Sequence, residues 1–501
     1  MLSFFRSMLS GIFAFFTMFW SFMPWVKAPA YVLPAFSPPN VLEGASIIHE
    51  DTLGWWDHPD AANLLKGNRK CWTPQPADGP VAVEIQLAAE STFNTAYLEE
   101  AGNQVQYFRL QAMIGGKWVT FFRAEKIREM RLCSFDAVTT DRVRLVIDEF
   151  TRKWPARIRA LRLYNEPKRA ASDFTVAIYQ RLHSNLPTDI LARGEDYART
   201  FARFYDVYNT VILFQSVYWS EDGALVYTMP GKQGAEAEAE FARQLDALKQ
   251  IIALRTNPHE VRIICNALPD TGDHKGINTF MAKHWKTVAD QSVAFLQKHA
   301  LDGLDIDWEF PQNADDWRLL DQFFAYLHDE MQRVRPGAIL SAAISASFAG
   351  SDETINRIDQ IQFMAYDGTD GDGLQSSFKQ AVDGIAAFAK RGIDLKKINI
   401  GIGAYGRPLD GGPVWIDWHV VQGEGDALYW NSKHYNILYG GKYYDASFCP
   451  PGLASDKTAY ALLGGAGGVM VFVLSTDRLM DDPNSVARGI ENALRRLTAA
   501  G

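Results

Sequence analysis

The feature that most constrains the fold is a change of hydrophobic periodicity near residue 174. From there on, short β-rich runs alternate with helical stretches, as in a parallel sheet whose strands are joined by crossover helices. Eight strands over about 330 residues is the size of a (β/α)8 TIM barrel, which we predict for residues 174–501. The predicted strands are 174–179, 211–216, 261–266, 303–310, 339–346, 358–366, 398–405 and 469–474. Residues 408–453 do not fit a simple crossover and are interpreted as a loop-rich insertion.

The region 31–167 has a different pattern, with short β-like runs separated by polar turns. Period-2 alternation in residues 81–87, 106–112 and 142–147 predicts an antiparallel jelly-roll or sandwich domain that is all β. Gly115 and Gly116 precede another such run and indicate a hairpin turn. Residues 168–173 are interpreted as a linker. At 501 residues, the chain is long enough for two such domains.

The N-terminal 30 residues are apolar. Arg6 precedes a run from Met8 to Val26 with almost no polar face, and Ala28-Pro29-Ala30 follows it. This arrangement predicts either a signal peptide or a membrane anchor, so the protein is expected to be secreted or anchored at the cell surface. A buried or interfacial helix is the alternative. The four cysteines have neither metal-ligand spacing nor the density of a disulfide scaffold.

The charge of the chain excludes one class of partner. The formal net charge is −9, and no basic stripe that could neutralise phosphates is visible. We therefore expect no nucleic-acid partner. The aromatic content is 13 %, and rings in this number either fill cores or stack on sugars.

The strongest functional signal is a run of acids in the fourth predicted barrel strand, residues 301–311. Side chains alternate faces along a strand, so Asp305, Asp307 and Glu309 share one face, while apolar residues occupy the other. In a barrel the acidic face would point to the axis near the C-terminal mouth, where active sites lie. Three adjacent carboxyls cannot all ionise easily, so at least one pKa must be raised, which suits a general acid. A solvated acidic edge and a metal cage are the alternatives. Gly303 has the same parity and is expected to leave space below the acids.

This run resembles the DGxDxDxE signature of glycoside hydrolase family 18, the chitinases and endo-β-N-acetylglucosaminidases. Three further segments are similar to strands of that family: Gln362-Phe-Met-Ala-Tyr-Asp367, Gly401-Ile-Gly-Ala-Tyr-Gly-Arg407 and Gly467-Gly-Val-Met-Val-Phe472. Separately, residues 135–148 resemble the discoidin-like (F5/8 type C, galactose-binding-like) domains that accompany many bacterial glycosidases.

Two positions depart from the family pattern. Cys265 and Asn266 stand where the third strand usually has glycines, and Phe472 stands where the last strand usually has a tryptophan under the cleaved sugar. Both departures concern the support of the substrate and of the innermost acids. Neither removes the proton donor.

The resemblance implies a retaining, substrate-assisted hydrolysis of β-1,4-linked N-acetylglucosamine glycans. Glu309 would donate the proton, Asp307 would orient the acetamido group, Asp305 would modulate Asp307, and Tyr366 would bond the acetamido oxygen. Substrate contacts are expected from Met364 and Phe472 as an apolar floor, and from Gln362, Asp367, Tyr405 and Arg407. A salt bridge in the barrel mouth is the alternative for Arg407.

Several alternatives remain open. The substrate could be chitin, the chitobiose core of N-glycans, or peptidoglycan, and a sugar-binding protein with an inactive barrel is the competing class. No metal or organic cofactor is expected. Four tryptophans in strand-end or insertion loops are candidate platforms for further sugars: Trp219, Trp415, Trp418 and Trp430.

Overall fold

The computed structural model describes residues 31–52, 61–67, 70–75, 79–151, 155–170, 172–184, 186–268, 274–423 and 425–499. The apolar segment 1–30, predicted to be a signal peptide or anchor, lies outside these ranges. Within them, no helix combines the length and apolar character needed to cross a membrane. All four cysteines are described, and each is a free thiol.

The first folded unit is an antiparallel β structure, as the alternation in its sequence predicts. Its strands are β1 (Ser46–Glu50), β2 (Val81–Glu100), β3 (Val105–Ile114), β4 (Lys117–Glu125), β5 (Arg131–Phe150) and β6 (Ile158–Tyr164). They pair in the order β1-β2-β5-β3-β4, and β6 pairs with the second half of β2. We call this part the β unit. The resemblance to discoidin-like domains remains a prediction.

The strands of the β unit are longer than the sequence pattern indicates. Strand β2 has 20 residues and pairs with β1, β5 and β6, and its pairing with β5 has a register irregularity between Gln86 and Ser91. The predicted hairpin turn at Gly115 and Gly116 is confirmed, and both glycines have positive φ, 57° and 77°. Alternate residues such as Val83 and Ile85 are buried in a core of its own.

The second folded unit is a closed parallel barrel. The strands in this part of the chain are β7 (Thr175–Gln180), β8 (Thr210–Leu213), β9 (Val217–Trp219), β10 (Leu225–Tyr227), β11 (Arg262–Leu268), β12 (Gly303–Ile306), β13 (Ile339–Ile344), β14 (Gln360–Phe363), β15 (Ile398–Gly403), β16 (Tyr405–Pro408), β17 (Ile416–Asp417), β18 (Lys433–Tyr439), β19 (Lys442–Ser447) and β20 (Gly468–Phe472). The barrel closes in the order β11-β12-β13-β14-β15-β20-β7-β8. Each of the eight predicted runs overlaps one of the barrel strands, so the predicted TIM barrel with a preceding β unit is confirmed.

Helices fill most of the connections between barrel strands. The described helices are α1 (Asn63–Lys66), α2 (Pro187–Ala192), α3 (Glu195–Ala202), α4 (Gly234–Ala253), α5 (His274–Lys298), α6 (Ala314–Val334), α7 (Asp352–Arg357), α8 (Phe378–Lys390), α9 (Gly425–Trp430), α10 (Pro451–Gly464) and α11 (Val486–Leu497). Local signals explain their ends. Asn313 caps α6 by accepting two backbone N–H bonds, and Ser377 forms a capping box with Gln380 at the start of α8.

One glycine has a different role from the one expected. A Cβ on Gly303 would lie 2.2 Å from the carbonyl oxygen of Ile339. The missing side chain therefore lets β12 and β13 approach each other. It does not leave a space below the acids, because the neighbouring strand occupies that space.

The insertion at 408–453 is more ordered than predicted. Instead of loops, it contributes to a four-stranded antiparallel sheet in the order β17-β16-β19-β18, with α9 beside it. The strands are short, and exposed polar residues interrupt their alternation, so the period-2 signal is weak in the sequence.

The β unit packs directly on the barrel. Helix α10 is buried on almost all sides, because barrel strands, α11 and strand β5 all contact it. Arg131 of β5 pairs with the buried Asp456 of α10 at 2.6 Å, and Arg496 of α11 pairs with Asp136 at 2.9 Å. The two units therefore share an interface with buried charges.

Candidate active site

The three acids of the fourth barrel strand lie at the C-terminal end of the barrel. The strand itself ends at Ile306, earlier than predicted, but the alternation of faces continues beyond it. Asp305 is fully buried, Asp307 is 5 % exposed and Glu309 is only partly buried. Trp308, on the other face, packs in the core between strand and helices. Exposure thus increases along the row, and Glu309 is the carboxyl most open to a ligand.

Asp305 is held by donors from three other barrel strands. Tyr179 Oη and Asn266 Nδ2 donate to Asp305 Oδ2 at 2.9 and 2.8 Å, and Ser341 Oγ donates to Oδ1 at 2.6 Å. Burial raises the pKa of Asp305, and the hydrogen bonds from Ser341, Asn266 and Tyr179 oppose that shift. The expected carboxyl with a raised pKa is therefore present, at the base of the row.

A buried amide chain extends from Asp305 around the barrel interior. Gln362 Nε2 donates to Ser341 Oγ at 3.1 Å, and Asn399 Nδ2 donates to Gln362 Oε1 at 3.1 Å. Gln362 is fully buried. This position favours a supporting role beneath the acids over the direct substrate contact that we predicted for it.

An aromatic cluster lies beside the acids. The ring of Phe472 stacks on Tyr366 with centroids 5.7 Å apart and lies 5.5 Å from the rings of Tyr179 and Trp415. Phe214 is closer still, at 5.1 Å. Phe472 is 6 % exposed, and partly buried Met364 packs against the same cluster. Their role as an apolar floor under the sugar stays a prediction.

Tyr366 carries its hydroxyl into this cluster. Burial raises its pKa well above the ordinary range, and the charges of Asp307, Asp367 and Glu309 act in the same direction. The phenol is therefore a donor at all working pH values. The hydroxyl donates to Met470 Sδ at 3.9 Å. A thioether is a weak acceptor, so the hydroxyl is suited to a stronger acceptor on a substrate.

Asp367, Tyr405 and Arg407 form a second polar group in the mouth. Tyr405 Oη donates to Asp367 Oδ1 at 2.5 Å, and Arg407 donates to the same oxygen through Nη2 at 2.6 Å. The salt bridge that we gave as the alternative for Arg407 is thus present. Asp367 remains exposed, so the group can also contact a ligand.

The sequence reasoning missed two supports of the acid row, Tyr179 and Ser341. Each lies on a different strand from the acids, so no local motif connects them. Inward parity, near the C-terminal end of β7 for Tyr179 and in the middle of β13 for Ser341, is the signal that could have found them.

The four tryptophans that are candidate sugar platforms lie in different surroundings, and one of them is fully buried. Trp415 is partly buried and stacks on Tyr405 with centroids 4.7 Å apart, so it borders the mouth. Trp219 is partly buried, and its indole N–H donates to the Ala267 carbonyl. For Trp418 the prediction was wrong, because this ring is 1 % exposed and its N–H is bonded to Asn484. Trp430 packs against Phe122 of the β unit.

Comparison with known proteins agrees with this geometry. Residues 242–477 match the family model of glycosyl hydrolases family 18. The match extends from α4 through β20 and includes the acid row, while β7 and β8 precede it. This segment is therefore similar to the family 18 glycosyl hydrolases.

Two sequence relatives are distant and longer than the matched region. The killer toxin subunits alpha/beta of Kluyveromyces lactis are 28 % identical over 142 residues, which is 24 % of this chain and 12 % of the relative. A protein of Margaritifera margaritifera named as a chitinase is 24 % identical over 240 residues, 38 % of this chain and 51 % of the relative. The chain thus spans about half, or less, of the curated relatives it matches.

Solved structures include similar folds. The family 18 chitinase ChiB of Flavobacterium johnsoniae is 18 % identical, with a TM-score of 0.48 over 66 % of this chain and 94 % of its own. A chitinase from Bacteroides thetaiotaomicron is 16 % identical, with a TM-score of 0.46 over 64 % and 97 % of the two chains.

Proposed function

We propose, from the match of residues 242–477 to family 18 glycosyl hydrolases, that this protein hydrolyses β-1,4-linked N-acetylglucosamine glycans with retention of configuration. Chitin-like oligomers are the proposed substrate class. The observation that carries the proposal is the graded acid row, in which Asp305 is buried and held by three donors while Glu309 is open to the mouth.

The row supports a division of roles among the acids. Because Asp305 is buried with a raised pKa, it can hold a proton and share it with Asp307, two residues along the same face. Glu309 would then donate a proton to the glycosidic oxygen as that bond breaks. No second carboxylate is required as nucleophile, because the substrate's own 2-acetamido oxygen attacks the anomeric carbon in this mechanism.

The rest of the cycle uses groups on the same side of the barrel. Attack by the acetamido oxygen forms an oxazolinium ion, whose N–H would be held by Asp307 and whose ring oxygen would accept from Tyr366. Glu309, now a carboxylate, removes a proton from water as the water oxygen attacks the anomeric carbon and opens the ring. Two displacements at one carbon leave the configuration retained.

The aromatic cluster supports sugar binding at the same place. A pyranose face packs on an aromatic ring, and contacts of this kind contribute on the order of 1 kcal/mol. Phe472 would lie under the cleaved sugar and Trp415 beside it, while Asp367 and Arg407 would meet hydroxyl or acetamido groups.

The test compares substrates that differ only in the acetamido group. A chitin oligomer should be cut, a fully deacetylated oligomer of the same length should not, and a thiazoline analogue of the oxazolinium should inhibit. Efficient cleavage of the deacetylated oligomer would exclude the substrate-assisted mechanism. A high-mannose glycoprotein in parallel distinguishes chitinase action from endo-β-N-acetylglucosaminidase action.

The site of action is part of the proposal. The apolar segment 1–30 and its Ala28-Pro29-Ala30 end favour export, so the enzyme is proposed to act outside the cell or at its surface. Cell fractionation with sequencing of the mature N-terminus tests this, and a cytosolic protein with an intact N-terminus would contradict it.

A further inference from the structure

The loop that follows β14 is folded around its own aspartates. We call residues 367–377 the aspartate loop. Asp370 Oδ1 accepts the backbone N–H of Asp372 at 2.9 Å and of Leu374 at 3.1 Å. The second oxygen of Asp370 and the carboxylate of Asp372 take no part in these two bonds. The loop therefore presents two carboxylates to whatever lies beside it.

The β unit lies beside the loop and supplies the matching donors. Arg128 Nη1 is 2.9 Å from Asp370 Oδ2, and its Nη2 pairs with Asp372. Asn103 Nδ2 donates to Asp372 at 2.7 Å, and Lys126 Nζ lies 3.4 Å from the same carboxylate. One guanidinium thus bridges two carboxylates that are two residues apart. We call Asn103, Lys126 and Arg128 the clamp.

The clamp is buried. The side chains of Arg128 and Asp370 are 7 % and 3 % exposed. Removing one partner from a buried ion pair leaves an uncompensated charge, so such a contact is costly to break even where its net contribution to folding is small. The geometry of this contact is therefore strongly constrained, unlike that of a surface salt bridge.

The backbone of the clamp is strained in a way that fits this role. Lys126 and Arg128 have φ of 58° and 55°, although neither is a glycine. A non-glycine residue in this region costs about 1–2 kcal/mol, and such outliers persist where the surroundings determine them and cluster at functional positions. Here, both strained residues are the cations that hold the aspartate loop.

The aspartate loop begins inside the proposed active site. Asp367, its first residue, is itself at φ 67° and accepts hydrogen bonds from Tyr405 and Arg407. Tyr366, the proposed donor to the acetamido oxygen, directly precedes it. Asp370 lies three positions after Asp367, so the aspartates that the clamp holds and the catalytic groups share one short, internally bonded segment.

We infer that the β unit is part of the catalytic apparatus, and that Arg128 is a positioning residue which acts through the aspartate loop on Tyr366 and Asp367. This inference rests on the proposed function. It differs from the usual expectation for an accessory domain, which would bind or tether substrate and leave the chemistry of the barrel unchanged. No residue of the clamp is among the proposed substrate contacts.

The test uses the full chain and two matched substitutions. Arg128→Gln removes the clamp charge. Arg496→Gln is the control, because Arg496 also crosses between barrel and β unit, pairing with Asp136 at 2.9 Å and donating to Ser134 O at 2.9 Å, but it does not touch the aspartate loop. Arg128→Lys is the conservative variant, since an ammonium reaches one carboxylate and not both.

Kinetics on a chitin oligomer separate a positioning role from a merely structural one. Misplacing catalytic groups by about 1 Å can cost roughly 100-fold in rate, so Arg128→Gln should lower kcat by about 10- to 100-fold and change KM much less. Arg128→Lys should recover part of kcat, and Arg496→Gln should have wild-type kcat. Equal kcat in Arg128→Gln and Arg496→Gln, at equal folded fraction, would overturn the inference.

Hydrogen exchange gives a readout that does not depend on activity. Backbone amides of the aspartate loop should exchange faster in Arg128→Gln than in Arg496→Gln, while those of β14 and β15 should be unchanged. If the wild-type protein cuts no chitin oligomer, the proposed function fails, but hydrogen exchange still shows whether the clamp holds the aspartate loop in place. Unchanged protection of the loop in Arg128→Gln would show that the clamp does not hold it.

Discussion

Substitution of Tyr179 by phenylalanine removes one hydroxyl from the donors around Asp305 and leaves the ring in place. The ring keeps its contact with Phe472 at a centroid distance of 5.5 Å, so no cavity forms. The lost hydrogen bond is the one at 2.9 Å to Asp305 Oδ2, which still accepts from Asn266 at 2.8 Å. The change therefore isolates a single bond to a buried carboxyl.

The expected loss of stability depends on pH, because the bond joins a neutral donor to a titrating acceptor. A hydrogen bond to a neutral group contributes about 0.5–1.5 kcal/mol and one to a charged group about 1.5–3 kcal/mol. Burial raises the pKa of Asp305 in the folded state. Between the unfolded and folded pKa values, the folded state binds more protons than the unfolded state, so stability falls as pH rises. Tyr179→Phe removes a bond that opposes this shift and so raises the folded pKa further. Its cost should therefore grow as pH rises through the folded pKa of the wild type, where the wild-type carboxyl ionises before that of the variant.

The assay is urea unfolding of wild type and Tyr179→Phe at a series of pH values from about 4 to 9, a range that begins near the ordinary pKa of an aspartate. Tyr205→Phe is the matched control, because this buried hydroxyl donates to Gln180 Oε1 at 2.8 Å, a group that does not titrate. Its removal should cost about 1–3 kcal/mol at every pH, since it leaves a buried acceptor unsatisfied. If the stability cost of Tyr179→Phe is as independent of pH as that of the control, the Tyr179 hydroxyl does not stabilise the ionised form of Asp305. The roles assigned to the acids of the row would then be wrong.

Three further substitutions test individual roles in the mouth. Glu309→Gln should lower kcat by at least about 100-fold, because a general acid contributes about 100- to 10,000-fold, and the affinity for a thiazoline inhibitor should not change. A variant that keeps more than a few per cent of wild-type turnover would show that Glu309 is not the proton donor. Phe472→Trp should lose about 1–3 kcal/mol of stability through overpacking, because the centroids of four neighbouring rings lie within 5.7 Å of the Phe472 centroid. Unchanged stability with a lower KM would show instead that the aromatic cluster has room for an indole. Trp415→Ala should raise KM about fivefold through loss of ring contact worth on the order of 1 kcal/mol, and an unchanged KM would place Trp415 outside the sugar site.

The sequence alone was sufficient for the barrel and for the acid row, because both depend on local periodicity. Each predicted barrel run overlaps a strand, and the inward parity of Asp305, Asp307 and Glu309 follows from the two-residue repeat of extended chain. The family motifs also placed Tyr366 and Phe472 in the mouth, where the tertiary structure has them. The exact end of β12 was not predictable, since the alternation of apolar and acidic residues continues past Ile306.

Only the tertiary structure decided which groups surround these residues. Tyr179, Asn266 and Ser341 reach Asp305 from β7, β11 and β13, up to 126 positions away in the chain, and barrel closure brings them together. The same holds for Arg128 and Asp370, which are 242 positions apart by their numbers and meet because the β unit packs on the barrel. Hydrophobic periodicity specifies which face of a strand is buried, but not which distant side chain it meets. That choice depends on the packing of complete units.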